Sequence, residues 1–161
     1  MSSLNEPLEL LEGLLAANTV WDDEVSGEER IYWGSNEDNV NSITGLADYP
    51  FILLSIGNYE YRKHGQGDCD ELIANGTLVV EFWRQAPVFV TSFKESMKDF
   101  LSFVGSVIDE LMVQQNEGGK ELEIVHCKMD VESLGRSSVI SRDPDNIPSS
   151  DVWSVRFGIS Y

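Results

Sequence analysis

Residues 153–161 read Trp153-Ser154-Val155-Arg156-Phe157-Gly158-Ile159-Ser160-Tyr161, an alternation almost without a break. Successive side chains of a strand point to opposite faces of its sheet. Trp153, Val155, Phe157, Ile159 and Tyr161 therefore take one face, and Ser154, Arg156, Gly158 and Ser160 the other. One dry face needs something to cover it.

The clearest cover is a helix over 92–115. Ser92 with Glu95 is a capping-box signature. Phe93, Met97, Phe100, Leu101, Val104, Ile108, Leu111 and Met112 then hold a helical stripe for about five turns, and Gly118-Gly119 stops it. Such a stripe is core packing, and its methionines and aromatics make no cofactor box. A shorter helix is expected from about Asn5 to Ala17, where Leu4, Leu8, Leu11 and Leu15 recur at helical spacing. Asn5 is its expected N-cap, Pro7 sits in its first turn, and Asn18 is placed to end it.

Three further strands are expected. Phe51-Ile52-Leu53-Leu54-Ser55-Ile56 is apolar on both faces, as a central strand would be. Thr77–Trp83 follows the Asn75-Gly76 turn and pairs antiparallel with it, and Leu122–Met129 is the third. The order helix, strand, strand, helix, strand, strand defines an α+β domain over residues 1–161. Its expected form is a four-stranded mixed or antiparallel sheet with two helices packed on one face. Three long polar loops, 19–49, 58–74 and 131–151, complete it, with Ile31-Tyr32-Trp33 a candidate short strand in the first. Loops of that length in a small domain are often binding elements. Trp21, Tyr32, Trp33, Tyr59 and Tyr61 lie in two of them, either folded back over the core or offered to a partner.

The net charge is −17, and 42 % of residues are hydrophobic, so the chain is acidic but well able to fold. Residues 1–50 hold eleven acids against the single base Arg30. That balance excludes non-specific binding to nucleic acid or an anionic membrane, which needs clustered Lys and Arg. The opening residues Met1–Leu15 lack a basic stretch and read as neither signal nor transit peptide. No apolar run approaches the roughly 20 residues that span a bilayer. Two cysteines, Cys69 and Cys127, are too few for a disulfide framework and fit a reducing cytosol.

Motifs for chemistry fail on inspection. His126 and Cys127 are strand neighbours and point apart, which leaves Cys127 a small buried hydrophobe. His64 and Cys69 share a loop with Asp68, Asp70 and Glu71, but supply only two of the four ligands a structural zinc wants. Gly65-Gln66-Gly67 lacks the third glycine of a dinucleotide fingerprint, since Asp70 stands there. Gly118-Gly119-Lys120 is followed by Glu121 and a strand, so no helix N-terminus can cradle phosphate. Asp143-Pro144-Asp145 has neither the glycine nor the closing glutamate of a calcium loop. No catalytic residue, cofactor or metal is expected.

The layout resembles the tail terminator (tail completion) proteins of long-tailed bacteriophages. The matching pieces are the leucine-rich opening helix, Tyr49-Pro50-Phe51-Ile52 entering the first strand, and Gly76-Thr77-Leu78-Val79-Val80-Glu81-Phe82 as the second. The long helix 92–115 and the closing strand Trp153–Tyr161 complete it. The resemblance implies a non-enzymatic virion protein, made in the bacterial cytoplasm, that assembles as a homo-oligomeric ring, a hexamer. The ring would cap the head-proximal end of the tail tube, end tube growth and present a surface to the head-completion or neck protein. DNA would pass through without specific binding. Six copies of this chain would make a strongly negative ring, and Asp22, Asp23, Glu24, Glu28 and Glu29 are the candidate DNA-repelling surface. Tyr59, Tyr61, Arg62, Lys63, Trp21 and Trp33 are the candidate protein interface. The alternatives are another head–tail adaptor, a tail tube subunit, or a soluble acidic protein-binding module such as a nucleic-acid mimic.

Overall fold

A computed structural model describes residues 4–34, 49–60, 75–86, 92–114, 122–139 and 150–161. They form helices α1 (Glu6–Ala16), α2 (Thr19–Val25) and α3 (Phe93–Val113) and strands β1 (Ile31–Trp33), β2 (Phe51–Glu60), β3 (Asn75–Gln85), β4 (His126–Val139) and β5 (Ser150–Ser160). The fold is α+β, with one five-stranded mixed sheet of order β1-β2-β3-β5-β4. β1 runs parallel to β2, and the other neighbours are antiparallel.

The expected count of four strands and two helices is corrected to five and three. Both additions lie in the expected 19–49 loop. α2 is too short for periodicity to declare it, and β1 is the candidate short strand Ile31-Tyr32-Trp33, paired into the sheet. Asn5 makes no side-chain cap; its backbone is already helical. Asn18 does not merely end α1 but caps α2, its Oδ1 accepting from the Trp21 N–H at 3.1 Å. The capping box is realised at α3, where Ser92 Oγ accepts from the Glu95 N–H at 3.1 Å.

Alternation along the strands sorts the interior into two parts. Ile52 and Leu54 of β2, Leu78, Val80 and Phe82 of β3, and Trp153, Val155, Phe157 and Ile159 of β5 share one face. All three helices bury their apolar stripes there, led by Leu11 and Leu15 of α1, Trp21 of α2, and Phe100, Val104, Val107 and Leu111 of α3. Trp153 stacks on Phe100 and donates its indole N–H to the buried Ser96 hydroxyl at 2.7 Å. Phe51, Leu53, Trp83 and Val152 form a smaller cluster on the opposite face, where Phe51 and Trp83 stack within 8° of parallel.

Polar contacts lock the helices together. Asn18 is fully buried and donates to the Val107 carbonyl at 3.0 Å and to Gln114 Oε1 at 3.1 Å. Gln114 in turn donates to the Leu14 carbonyl at 2.7 Å. The Glu110 carboxylate accepts from the N–H groups of Thr19 and Val20 and from the Thr19 hydroxyl, the anion placement that a helix N-terminus favours. Arg84 of β3 joins Glu24 of α2 to Asp99 of α3 while lying 4.5 Å from the Phe103 ring centroid.

Candidate functional site

The acidic segment comprises α2 and the residues that lead from it into β1. α1 packs on β2 and α2, and α2 packs on α3. Because Trp21 and Val25 turn inward, Asp22, Asp23 and Glu24 turn to solvent, with Glu28 and Glu29 following. All five expected surface acids are exposed. Glu24 is tied to Arg84 and Glu28 to Arg30, so these two bases are already engaged in ion pairs.

The expected interface residues do not form one group. Trp21 is 1 % exposed, packs on Phe103 and donates its indole N–H to the Glu29 carbonyl; it belongs to the core and is withdrawn from the interface. Trp33 is 42 % exposed at the sheet edge, its N–H held by Glu12 at 2.9 Å. Tyr59 is half-buried on β2, within a strand that runs on to Glu60, and donates its hydroxyl to the Leu4 carbonyl. Tyr61, Arg62 and Lys63 lie outside the described residues, as do His64, Cys69, Gly118-Gly119 and Asp143–Asp145.

The opposite edge of the sheet is β4, which extends to Val139 through the first part of the expected 131–151 loop and begins at His126 rather than Leu122. Among the described residues its only strand neighbour is β5. His126, Lys128, Asp130 and Glu132 are exposed, and so are Val125 (72 %) and Val131 (68 %). Cys127 and Met129 are half-buried against the main core. Pairing with β5 breaks after Asp130 and resumes at Gly135. At that bulge the Ser133 hydroxyl accepts the Arg156 N–H at 2.8 Å and donates to the Asp130 carbonyl at 2.6 Å.

Glu81, Arg156 and Asp130 stand opposite one another in a row across β3, β5 and β4 on the face without helices. Glu81 is 4 % exposed, and one of its oxygens accepts the Trp83 indole N–H at 2.6 Å. Burial raises its carboxyl above the ordinary value, against the pull of that hydrogen bond and of the Arg156 charge. Glu81, Ser133, Ser154, Val155 and Arg156 line a recess of about 120 Å³. That is room for water, well below the roughly 300–1,000 Å³ of small-molecule sites. Cys127 has its thiol pushed up to about 11 by burial, so at neutral pH it is a weak nucleophile.

Among the described residues no three His, Cys, Asp or Glu side chains stand together to hold a metal ion. Nor is any described helix long and apolar enough to cross a membrane. The residues sequence reasoning missed are those of the β4 edge beyond Met129; their alternation continues through Asp130, Val131 and Glu132 and was available as a signal. No family model and no curated protein matches the chain.

Proposed function

We propose that the chain is a structural assembly protein that works through its surfaces rather than through a catalytic centre. Within that class, the reading we favour is a phage tail terminator, a virion protein whose copies form a ring of six on the head-proximal end of the tail tube. It would meet the tube protein on one side and the neck or head-completion protein on the other. The carrying observation is the distribution of charge: exposed acids gather on α2 and the residues after it, while the long, exposed, charge-balanced β4 forms an edge of the sheet. An acidic surface turned to a channel lets DNA pass without adhering, and an open edge strand offers a protein contact. The high-titrating thiol of Cys127 fits this reading, since it is a poor nucleophile at neutral pH. Electron microscopy of the purified protein tests it: annular particles support it, and featureless small particles under all conditions count against it.

The exposed acids of α2 favour one second reading, an acidic module that binds a basic protein. It predicts a monomer that never self-associates and a complex that weakens steeply with salt.

A further inference from the structure

We propose that the β4 edge is a self-complementary contact at which two copies of this chain pair antiparallel, strand to strand, about Met129. β4 lies at the end of the sheet, with residues 126, 128, 130, 131 and 132 exposed. Long exposed edges invite another strand, and a β-bulge is one device that limits such pairing. Here the bulge begins after Asp130, so the contact centres on Lys128–Asp130 and reaches only the first two residues of the bulge, 131 and 132.

The side chains of that stretch specify their own partner. His126, Lys128, Asp130 and Glu132 alternate with Cys127, Met129 and Val131. With Met129 opposite its own copy, Lys128 meets the partner's Asp130 and Asp130 meets the partner's Lys128. His126 meets the partner's Glu132, and Cys127 meets the partner's Val131. Both Lys128–Asp130 pairs are then of opposite sign, and the alternate positions pair apolar with apolar. Moving the register by two residues in either direction sets Lys128 against Lys128 or Asp130 against Asp130. A slip of one residue turns charged side chains to the apolar face. One register remains.

Electrostatics selects the same surface. β4 carries Lys128 and Arg136 against Asp130 and Glu132, a formal balance of zero on a chain of −17. Two such chains repel least where they meet along this strip. The contact is two-fold and closes on itself, joining the two sheets into one of ten strands. It occupies the edge that the terminator reading offers to a partner protein, and it does not depend on that reading.

Charge reversal in the full chain tests it by sedimentation at micromolar concentration. At low salt, below the onset of any larger species, wild type is expected at the mass of two chains. Lys128→Asp sets Asp against Asp, and Asp130→Lys sets Lys against Lys, so each variant alone sediments as one chain. An equimolar mixture of the two restores opposite charges at both positions and regains the mass of two chains. Circular dichroism of each variant must match wild type, and the mixture supplies the check if Asp130→Lys alone is less stable. Single variants that pair like wild type, a mixture that stays monomeric, or a monomeric wild type would overturn the proposal. Larger species in a salt series bear on ring formation and leave this outcome distinct, because only the edge contact is rescued by mixing.

Discussion

Glu81 and Arg156 face each other across β3 and β5, yet they do not join in an ion pair: Glu81 is held by the Trp83 indole at 2.6 Å, and Arg156 reaches toward Asp130 at 4.0 Å. The Arg156 Nε is buried without a hydrogen-bond partner among the described residues. The buried carboxylate therefore depends on Trp83. Trp83→Phe keeps the stacking on Phe51 and deletes the donor, which costs about 2 kcal/mol in urea unfolding. No change in midpoint would contradict this.

The same carboxyl sets a pH dependence. Its folded value is raised, so the folded state holds the proton more tightly than the unfolded chain does. Stability from this group is complete below its unfolded value and falls as pH rises toward the folded value. Glu81→Gln removes that loss. The variant should gain on wild type as pH climbs from about 4 into the range above, and then hold a constant margin. A difference independent of pH would refute the assignment.

Glu110 behaves in the opposite sense. Desolvation pushes its carboxyl up, but hydrogen bonds from the backbone and hydroxyl of Thr19 and the N–H of Val20 outweigh it, and the net value is lowered. Its contribution is present above the unfolded value and is lost as acid protonates the folded state. Glu110→Ala should cost about 1 kcal/mol at neutral pH, typical of a lost helix cap, and progressively less as acid protonates the carboxyl. Thermal melts of variant and wild type across an acid titration check the trend.

Asn18 satisfies α2 and α3 at once from a fully buried position. Asn18→Leu fits the volume but strips the cap from Trp21 and the bond to Val107. About 2–4 kcal/mol of stability should go with it, more than an exposed cap costs. A loss below 1 kcal/mol in chemical denaturation would show that the buried network matters little.

Gly76 lies where β3 crosses closest to β2. A Cβ there would stand 2.6 Å from the Asn58 carbonyl oxygen and 2.9 Å from the Tyr59 ring. Since the nearest atom is backbone, Gly76→Ala must displace the strand and should cost about 1–3 kcal/mol. By contrast Gly105→Ala, on α3 with no heavy atom within 4 Å of the added Cβ, should be neutral or stabilising by up to about 1 kcal/mol.

Strong periodicities in the sequence translated directly into structure. The α3 stripe from Phe100 to Leu111 and the β5 alternation from Trp153 to Ile159 meet in the core as their spacing requires. Phe51–Leu54, apolar at every position, is buried on both faces of a strand with neighbours on either side. What periodicity could not supply was an element shorter than its own window, α2, whereas the short strand β1 was legible as the apolar Ile31-Tyr32-Trp33. The sequence leaves Trp21 open between core and interface, because an aromatic among Asp and Glu residues fits either; one helical turn carries it inward. β4 was cut short because Asp130 and Glu132 resemble loop composition, although on an edge strand such residues simply face water. The Glu81–Arg156 opposition depends on register between strands far apart in sequence, which no local pattern encodes.

Light scattering of the full chain across a salt series tests the central functional claim most directly. At about 0.15 M salt the screening length is about 8 Å, enough to relieve repulsion between neighbouring −17 subunits. The terminator reading predicts a discrete particle with the mass of six chains that grows in population as salt rises and never extends into long tubes. A particle of one or two chains at every ionic strength would contradict it.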